Sequence, residues 1–400
     1  MMKFFFTFII AQLAVIISTA QKIKIPQIIA DAEKQTLVML NEISSLQLTL
    51  KNPALVSPRT LENGELKLVT AKDWTSGFFP GELWLLYEIT GKETWKKQAE
   101  LFTKNIESQQ YDKTSHDVGF KIYCSAGNGY KLTKNENYKS IIIQAATTLS
   151  KRFSPITGTI KSWDNRKEWG YPTIIDNMMN LELLFEATKL SGDSSLYKIA
   201  VSHATATMKN HFRNDYSSYH VVDYDTVNEG KVIKKATHQG YADESAWARG
   251  QAWGLYGFTM CYRETKNKAF LDLAEHIAKF LLEHTDLPKD KIPFWDFNAP
   301  GIPNEPRDAS AASIMASALY ELSTFSTQGK KYRKAADEIM KNLTSYYRAP
   351  VGNYKGFILL HSTGHKPAKS EVDVPMIYAD YYYLEALTRS IKLKEKKSLL

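Results

Sequence analysis

Leu83-Trp84-Leu85-Leu86-Tyr87, then Thr90-Gly91-Lys92, then Trp95-Lys96-Lys97-Gln98-Ala99 reads as an apolar helix, a polar turn, and a second helix opening on an aromatic followed by basic residues and Ala. The order recurs along the chain. Leu181 to Phe185 leads through Ser191-Gly192-Asp193 to Tyr197-Lys198-Ile199-Ala200. Met260 and Tyr262 lead through Lys266-Asn267-Lys268 to Phe270 and Ala274. Leu319-Tyr320 leads through Gln328-Gly329-Lys330 to Tyr332-Arg333-Lys334-Ala335, and a weaker copy surrounds Leu132 to Tyr138. Gly or Asn near each helix end offers the left-handed residue that stops a helix. The helix that follows carries apolar residues three and four apart, as in Leu271, Ala274, Ile277, Ala278 and Leu281, so these are αα-hairpins.

Five hairpins, an N-terminal helix around Ile28 to Leu46 and a C-terminal one around Tyr381 to Ile391 make about twelve helices. The repeats are too long for tetratricopeptide or ankyrin units. They predict an all-α fold, an (α/α)6 barrel closed into a ring, in preference to an open α-solenoid, because the connections are rich in Trp, His, Asp and Gly. No Pro/Ser-rich linker divides the chain, so residues 21–400 are expected to form one domain. Residues 1–20 read as an export signal: Met1 to Lys3 is a short basic start, Phe4 to Ile17 is apolar, and Ser18-Thr19-Ala20 supplies small residues before Gln21. The apolar run is too short to span a bilayer comfortably. A periplasmic or secreted protein with no membrane partner after signal removal follows. Cys124 and Cys261 read as two buried thiols.

The 400 residues are 44% hydrophobic, 24% charged and 12% aromatic, which excludes a disordered chain and a multi-span membrane protein. A net charge of +8 suits anionic partners. Nucleic acid is not indicated, since the chain has no zinc finger, basic zipper or long Lys/Arg run. Scattered positive charge beside 22 Tyr and 8 Trp describes a binder of acidic sugars instead. Nucleotide loops, a G-x-S-x-G elbow and an H-E-x-x-H pair are missing, and the histidines show no metal-ligand spacing with the cysteines. Neither a metal nor an organic cofactor is expected.

What remains is Asp, His and Trp in loops. Ser115-His116-Asp117-Val118-Gly119 is one such loop, and Ile174-Ile175-Asp176-Asn177-Met178-Met179 is another. An acid between apolar residues sits in a desolvated setting that raises a carboxyl pKa, and a second carboxylate nearby raises it further. Such an unequal pair suits acid/base work on a glycosidic bond. Asp176 also fits a helix N-cap, and Asp117 a turn before Gly119. In the stretch from Thr237 to Trp253, a helix from Ser245 would put Arg249 and Trp253 on one face. There the guanidinium would pair a sugar carboxylate and the indole stack on the ring, or the two would pack together as structure. Trp74 and Trp163 offer further stacking surfaces. His220 alternates with its neighbours like a strand residue and reads equally as structural.

The segments WTSGFFPGELW (Trp74 to Trp84), SHDVGF, SWDN, IIDNMMN, HVVDYD (His220 to Asp225), HQGYADESAWARGQAWGLYG (His238 to Gly257) and EVDVPMIYADYYYLEAL (Glu371 to Leu387), in that order, resemble glycoside hydrolase family 88, the unsaturated glucuronyl hydrolases. The resemblance covers nearly the whole mature chain and implies an (α/α)6 barrel. It implies removal of a 4,5-unsaturated uronic acid from the non-reducing end of lyase-generated, glycosaminoglycan-type oligosaccharides, by hydration of the C4=C5 vinyl ether. By the same resemblance, Asp176 is the acid and base and Asp117 holds sugar hydroxyls and helps keep Asp176 protonated. Trp74, His116, Trp163, His220, Gln239, Arg249 and Trp253 are substrate contacts. The loop His361 to Ser370, with hydroxyls, two His and two Lys, is a candidate cradle for a sulfated neighbour sugar through Ser362 and Lys366, or a solvated loop. The alternatives are an unsaturated rhamnogalacturonyl hydrolase-like enzyme, a helical-barrel polysaccharide lyase and a non-catalytic acidic-glycan-binding protein.

Overall fold

About half of the helices are buried over much of their surface, and the others bury one stripe. In the computed structural model, which describes residues 24–399 except Asn165, the two kinds alternate along the chain. The outer α1 (Ile25–Leu50) precedes the inner α2 (Phe78–Thr90) and the outer α3 (Glu93–Ile106). Next, α4 (Val118–Ile122) and α5 (Asn128–Thr133) form one inner rod interrupted by a π-turn at Tyr123–Gly127, followed by the outer α6 (Glu136–Ser150). Inner α7 (Leu181–Ser191), α9 (Ala248–Thr265), α11 (Ala309–Leu322) and α13 (Ile377–Lys394) then alternate with outer α8 (Ser194–Asn210), α10 (Lys268–Glu283) and α12 (Gly329–Asn342). All of α11 is buried, whereas α12 buries only Tyr332, Ala336, Ile339 and Met340.

The inner helices pack in sequence, and α13 returns to pack on α2, so the ring closes. The closing seam is tight: a Cβ on Gly81 of α2 would lie 2.5 Å from both the Tyr381 ring of α13 and the Cys124 carbonyl. This is the expected twelve-rod barrel. Among the described residues, seven short strands are added to it, in the hairpin β1 (Leu55–Glu62) with β2 (Glu65–Thr70), the pair β3 (Phe153–Ser154) with β4 (Thr159–Ile160), and the sheet β5 (Pro172–Ile174), β6 (Val221–Tyr224) and β7 (Val232–Ala236). All of them lie in connections from an outer helix to the next inner one. The returns from inner to outer are short, so long loops collect at the end where the inner helices begin.

Cap chemistry follows the sequence in part. Gly91 and Gly192 take the left-handed stop, Lys134 and Lys266 take it at two other turns, and between α11 and α12 no residue takes it: α11 ends on right-handed Ser323 and Gly329 opens α12. Asn135 and Asn267 instead accept the N–H of Asn137 and Ala269 as N-caps of the next helix, which suits a side-chain oxygen better than a left-handed backbone does. Helix α9 starts at Ala248 rather than Ser245, because the Ser245 hydroxyl donates to Asp296 at 2.7 Å and the chain bridges Trp247 to Asp296. Cys124 and Cys261 are buried free thiols. The export reading of residues 1–20 lies outside the described residues.

Two carboxyls are buried at the seam. Glu82 accepts from the Thr36 hydroxyl at 2.9 Å, and Asp380 accepts from the Ile358 and Leu359 N–H groups, each at 2.8 Å. Burial raises both, and the Glu82 charge adds to the rise at Asp380. A carboxyl raised in the folded state contributes stability that is complete below its unfolded pKa and is lost as pH rises through the folded value. Glu82→Gln should therefore lose less melting temperature than wild type between about pH 6 and about pH 9. Parallel melting curves for the two proteins would refute the raised Glu82 carboxyl.

Candidate active site

At the loop-rich end lies a cavity of about 260 Å³, lined by residues from five of the long connections and the first turns of α9 and α13. Asp176 sits on its floor. It does not cap α7: it lies inside the 3-10 turn Ile175–Asn180, which β5 delivers straight from the sheet, and Asn180 precedes α7 without capping it. The Asp176 residue is 9% exposed, and its Oδ2 has no hydrogen-bond partner. Burial raises its pKa to about 7; Arg249 opposes the rise, Asp117 adds to it, and the Trp253 N–H opposes it. The apolar flanks read from the sequence thus do what was expected of them.

Asp117 enters from the loop before α4, where its carboxylate accepts from the Ser115 hydroxyl at 2.8 Å and lies 3.3 Å from His116 Nε2. A bridge between Ser115 and Trp163 brings that loop beside the Trp163 segment. Trp74 reaches the cavity from the turn before α2 and leans on Phe78, Phe120 and Tyr378. His116, Trp163, Gln239 and Arg249 also line the cavity.

His220 is buried behind the wall with a fixed tautomer. Its Nδ1 accepts the N–H groups of His238 and Gln239 at 3.2 and 3.1 Å, so the neutral ring carries its proton on Nε2, which faces Asp176 Oδ2 at 3.6 Å. Burial, with His238 and Arg249 adding to it, holds the imidazole well below its ordinary pKa and therefore neutral. His220 is thus a fixed N–H donor aimed at the carboxyl, and not a surplus strand histidine.

Two expectations change. Trp253 is wholly buried between Phe120 and Tyr382, so it offers no face to a sugar. Arg249 is not paired with it: the guanidinium lies between Trp247 and Tyr378, 4.6 and 5.3 Å from the ring centres. It donates to Asp308 at 3.0 Å and to the carbonyls of Thr363 and Gly364 at 2.6 and 2.7 Å. With α9 starting at Ala248, Arg249 sits in the first turn and reaches outward to the 361–374 strap instead of along the helix.

Sequence reasoning gave no role to Arg59, Arg166, His238, Glu371 and Tyr378, all of which line the cavity, and had His365 only within the candidate sulfate loop. Tyr378 carried a usable signal, as part of a quoted motif, yet it was hidden among neighbouring tyrosines; its buried hydroxyl has no partner. A second cavity, of about 240 Å³, occupies the opposite end of the barrel. It holds paired charges such as Arg263 with Glu264 and Lys392 with Glu88. Among the described residues, none of its buried polar side-chain atoms lacks a partner.

A helical barrel whose furnished end holds one raised carboxyl beside a second, among aromatic and cationic side chains, is the architecture of a carbohydrate hydrolase. Residues 56–392 match the model of Glycosyl Hydrolase Family 88, and the chain belongs to that family. It is 51% identical to an unsaturated glucuronyl hydrolase of Formosa agariphila over 81% of this chain and 82% of the relative. It superposes on an unsaturated glucuronyl hydrolase specific for heparin with a TM-score of 0.87 and 45% identity, over 93% of this chain and 99% of that one. A Streptococcus agalactiae unsaturated glucuronyl hydrolase variant complexed with dGlcA-GalNAc6S gives 0.74 at 28% identity, over 93% and 92%.

The carboxyl at about 7 makes a pH prediction. The acid form of Asp176 is lost as pH rises, so kcat/KM should fall above about pH 7 with the slope of one proton. Asp117→Asn removes a charge that raises Asp176 and should move that limb to lower pH, besides slowing the reaction. A limb that stays put or moves upward would show that Asp117 does not act on Asp176 through its charge.

Proposed function

We propose that Asp176 carries out both proton transfers of the reaction. The activity is removal of a 4,5-unsaturated uronic acid from the non-reducing end of oligosaccharides. In this scheme the neutral Asp176 carboxyl protonates C4 of the vinyl ether, and the resulting carboxylate takes a proton from the water that adds at C5. The hemiketal formed then opens and releases the remaining sugar. Asp117 holds sugar hydroxyls, Trp74 and Trp163 are the stacking faces, and His220 orients the Asp176 carboxyl from behind. The observation carrying this reading is the buried carboxyl with a free oxygen, raised to about 7 beside a second acid.

The conjugated enoate absorbs in the ultraviolet, and its absorbance should fall when an unsaturated disaccharide is supplied. Asp176→Asn should slow that fall by about 1,000-fold or more with the fold intact. A variant at wild-type rate would end the mechanism, and a rise of absorbance on intact polymer would mark a lyase.

The neighbouring sugar is proposed to carry sulfate, with heparin-type and chondroitin-type fragments as the substrate class. Ser362 and Lys366 do not form the cradle: Ser362 is wholly buried, and Lys366 is ion-paired with Glu305. The cationic corner of the cavity mouth is instead Arg166 stacked on Trp163, with His238 and His365 beside it. Burial, then Arg166 and His365, lowers His238 to about 4, while burial lowers His365 as well. A bound sulfate would favour their charged forms, so preference for sulfated over unsulfated disaccharide should grow as pH falls. Arg166→Gln should cut that preference by about tenfold; an unchanged ratio would remove the sulfate reading. Export, with cleavage before Gln21, belongs to the same proposal and fits an enzyme that meets fragments of extracellular glycans.

A further inference from the structure

Arg59 stands on β1, far in sequence from the acids. Its Nε and Nη2 donate to the two oxygens of Glu371 at 2.5 and 2.9 Å, and its Nη1 donates to Asp73 at 2.7 Å. Both partners carry walls of the cavity. The other Asp73 oxygen accepts the Thr75 N–H and hydroxyl at 2.9 and 2.7 Å, which fixes the turn that presents Trp74. Glu371 closes the strap 361–374: its carbonyl accepts the Gly364 N–H at 2.6 Å, and a Cβ on Gly364 would lie 2.8 Å from Glu371 Cβ. The Gly364 carbonyl accepts from Gln239 Nε2 at 3.0 Å and from Arg249 Nη2 at 2.7 Å. With its Nε2 so engaged, Gln239 keeps its oxygen as the free end of the amide.

The strap does not follow local backbone preference. His361, Lys369, Glu371 and Asp373 all have positive φ, between 53° and 63°, a region that non-glycine residues enter when surrounding contacts hold them there. A planar fork with fixed donors suits that holding task, and a Lys point charge does not.

We propose that Arg59 is a positioning residue of the active site: it locks the Trp74 turn to the strap and so sets the gap between Trp74 and the Gln239–Gly364 wall. Asp176 is held separately, by β5 and its own 3-10 turn. Loosening the clamp therefore weakens substrate binding and leaves proton transfer alone. The inference rests on this cavity being the substrate site.

The test is steady-state kinetics of the full chain on an unsaturated disaccharide, with thermal melting alongside. Arg59→Lys and Glu371→Gln should each raise KM by about tenfold with kcat within about twofold, and the double variant should be no worse than the poorer single. Glu371→Gln separates positioning from direct contact. If Arg59 bound the uronate itself, freeing it from Glu371 would leave KM unchanged or lower, and the proposal would fall. It would fall equally if kcat dropped in step with kcat/KM, if the two effects added, or if Glu371→Gln were unfolded at the assay temperature. An active Asp176→Asn would remove the site assignment, whereas an inactive one beside an unmoved KM in Glu371→Gln would remove only the clamp.

Discussion

Because the inner helices are buried almost all round, they can end only where loops cover them, and because outer helices intervene, all of them run the same way. Their first turns converge on one end of the barrel. Each first turn holds N–H groups without helical partners and the positive end of a dipole. The result is an opening that favours anions before any charged side chain is counted. A uronate suits that field, but a neutral carboxylic acid does not. Keeping Asp176 protonated to about pH 7 is a net shift of about 4 kcal/mol relative to water, reached in spite of that convergence. Burial supplies the larger part of that, and the Asp117 charge assists.

Arg249 would undo this were it a bare cation, and Asp308 prevents it. The pair is fully buried, and Asp308 also accepts the N–H groups of Ser310 and Ala311 at the start of α11. The guanidinium is thereby spent on the ion pair and on two strap carbonyls, so its pull on the Asp176 proton is outweighed by burial. The imidazoles of His116, His220, His238 and His365 are all lowered by burial, which keeps that end of the molecule from accumulating charge as Asp176 cycles.

The hairpins were legible because a helix pair buries its stripe locally and the stripe shows in the spacing of Leu271 to Leu281 or Tyr332 to Ile339. Asp176 was legible for a related reason, since four apolar neighbours cannot all avoid the interior. Arg59 was not, because nothing near it in sequence says that β1 will lie against the strap some 300 residues later; only ring closure decides that. The Arg249–Trp253 pairing failed although α9 holds the two residues four apart. Distant partners decide it: Asp308 and the strap carbonyls draw the guanidinium away, and Phe120 and Tyr382 enclose the indole, none of which spacing within the helix records. Likewise Ser362 and Lys366 had the right chemistry for an anion, but the bridge from Ser362 to Val374 turns the serine inward.

The strap is held almost wholly by its main chain and its far end: the carbonyls of Thr363 and Gly364 on Arg249, the Ser362–Val374 bridge, and Glu371 on Arg59. Of the side chains between those anchors, His365 leans on the His238 carbonyl and Lys366 pairs with Glu305. Residues 367–370 can therefore be exchanged as a cassette, altering which sugar is admitted while the acid beneath stays undisturbed. In that sense one barrel separates the evolution of its taste from the evolution of its chemistry.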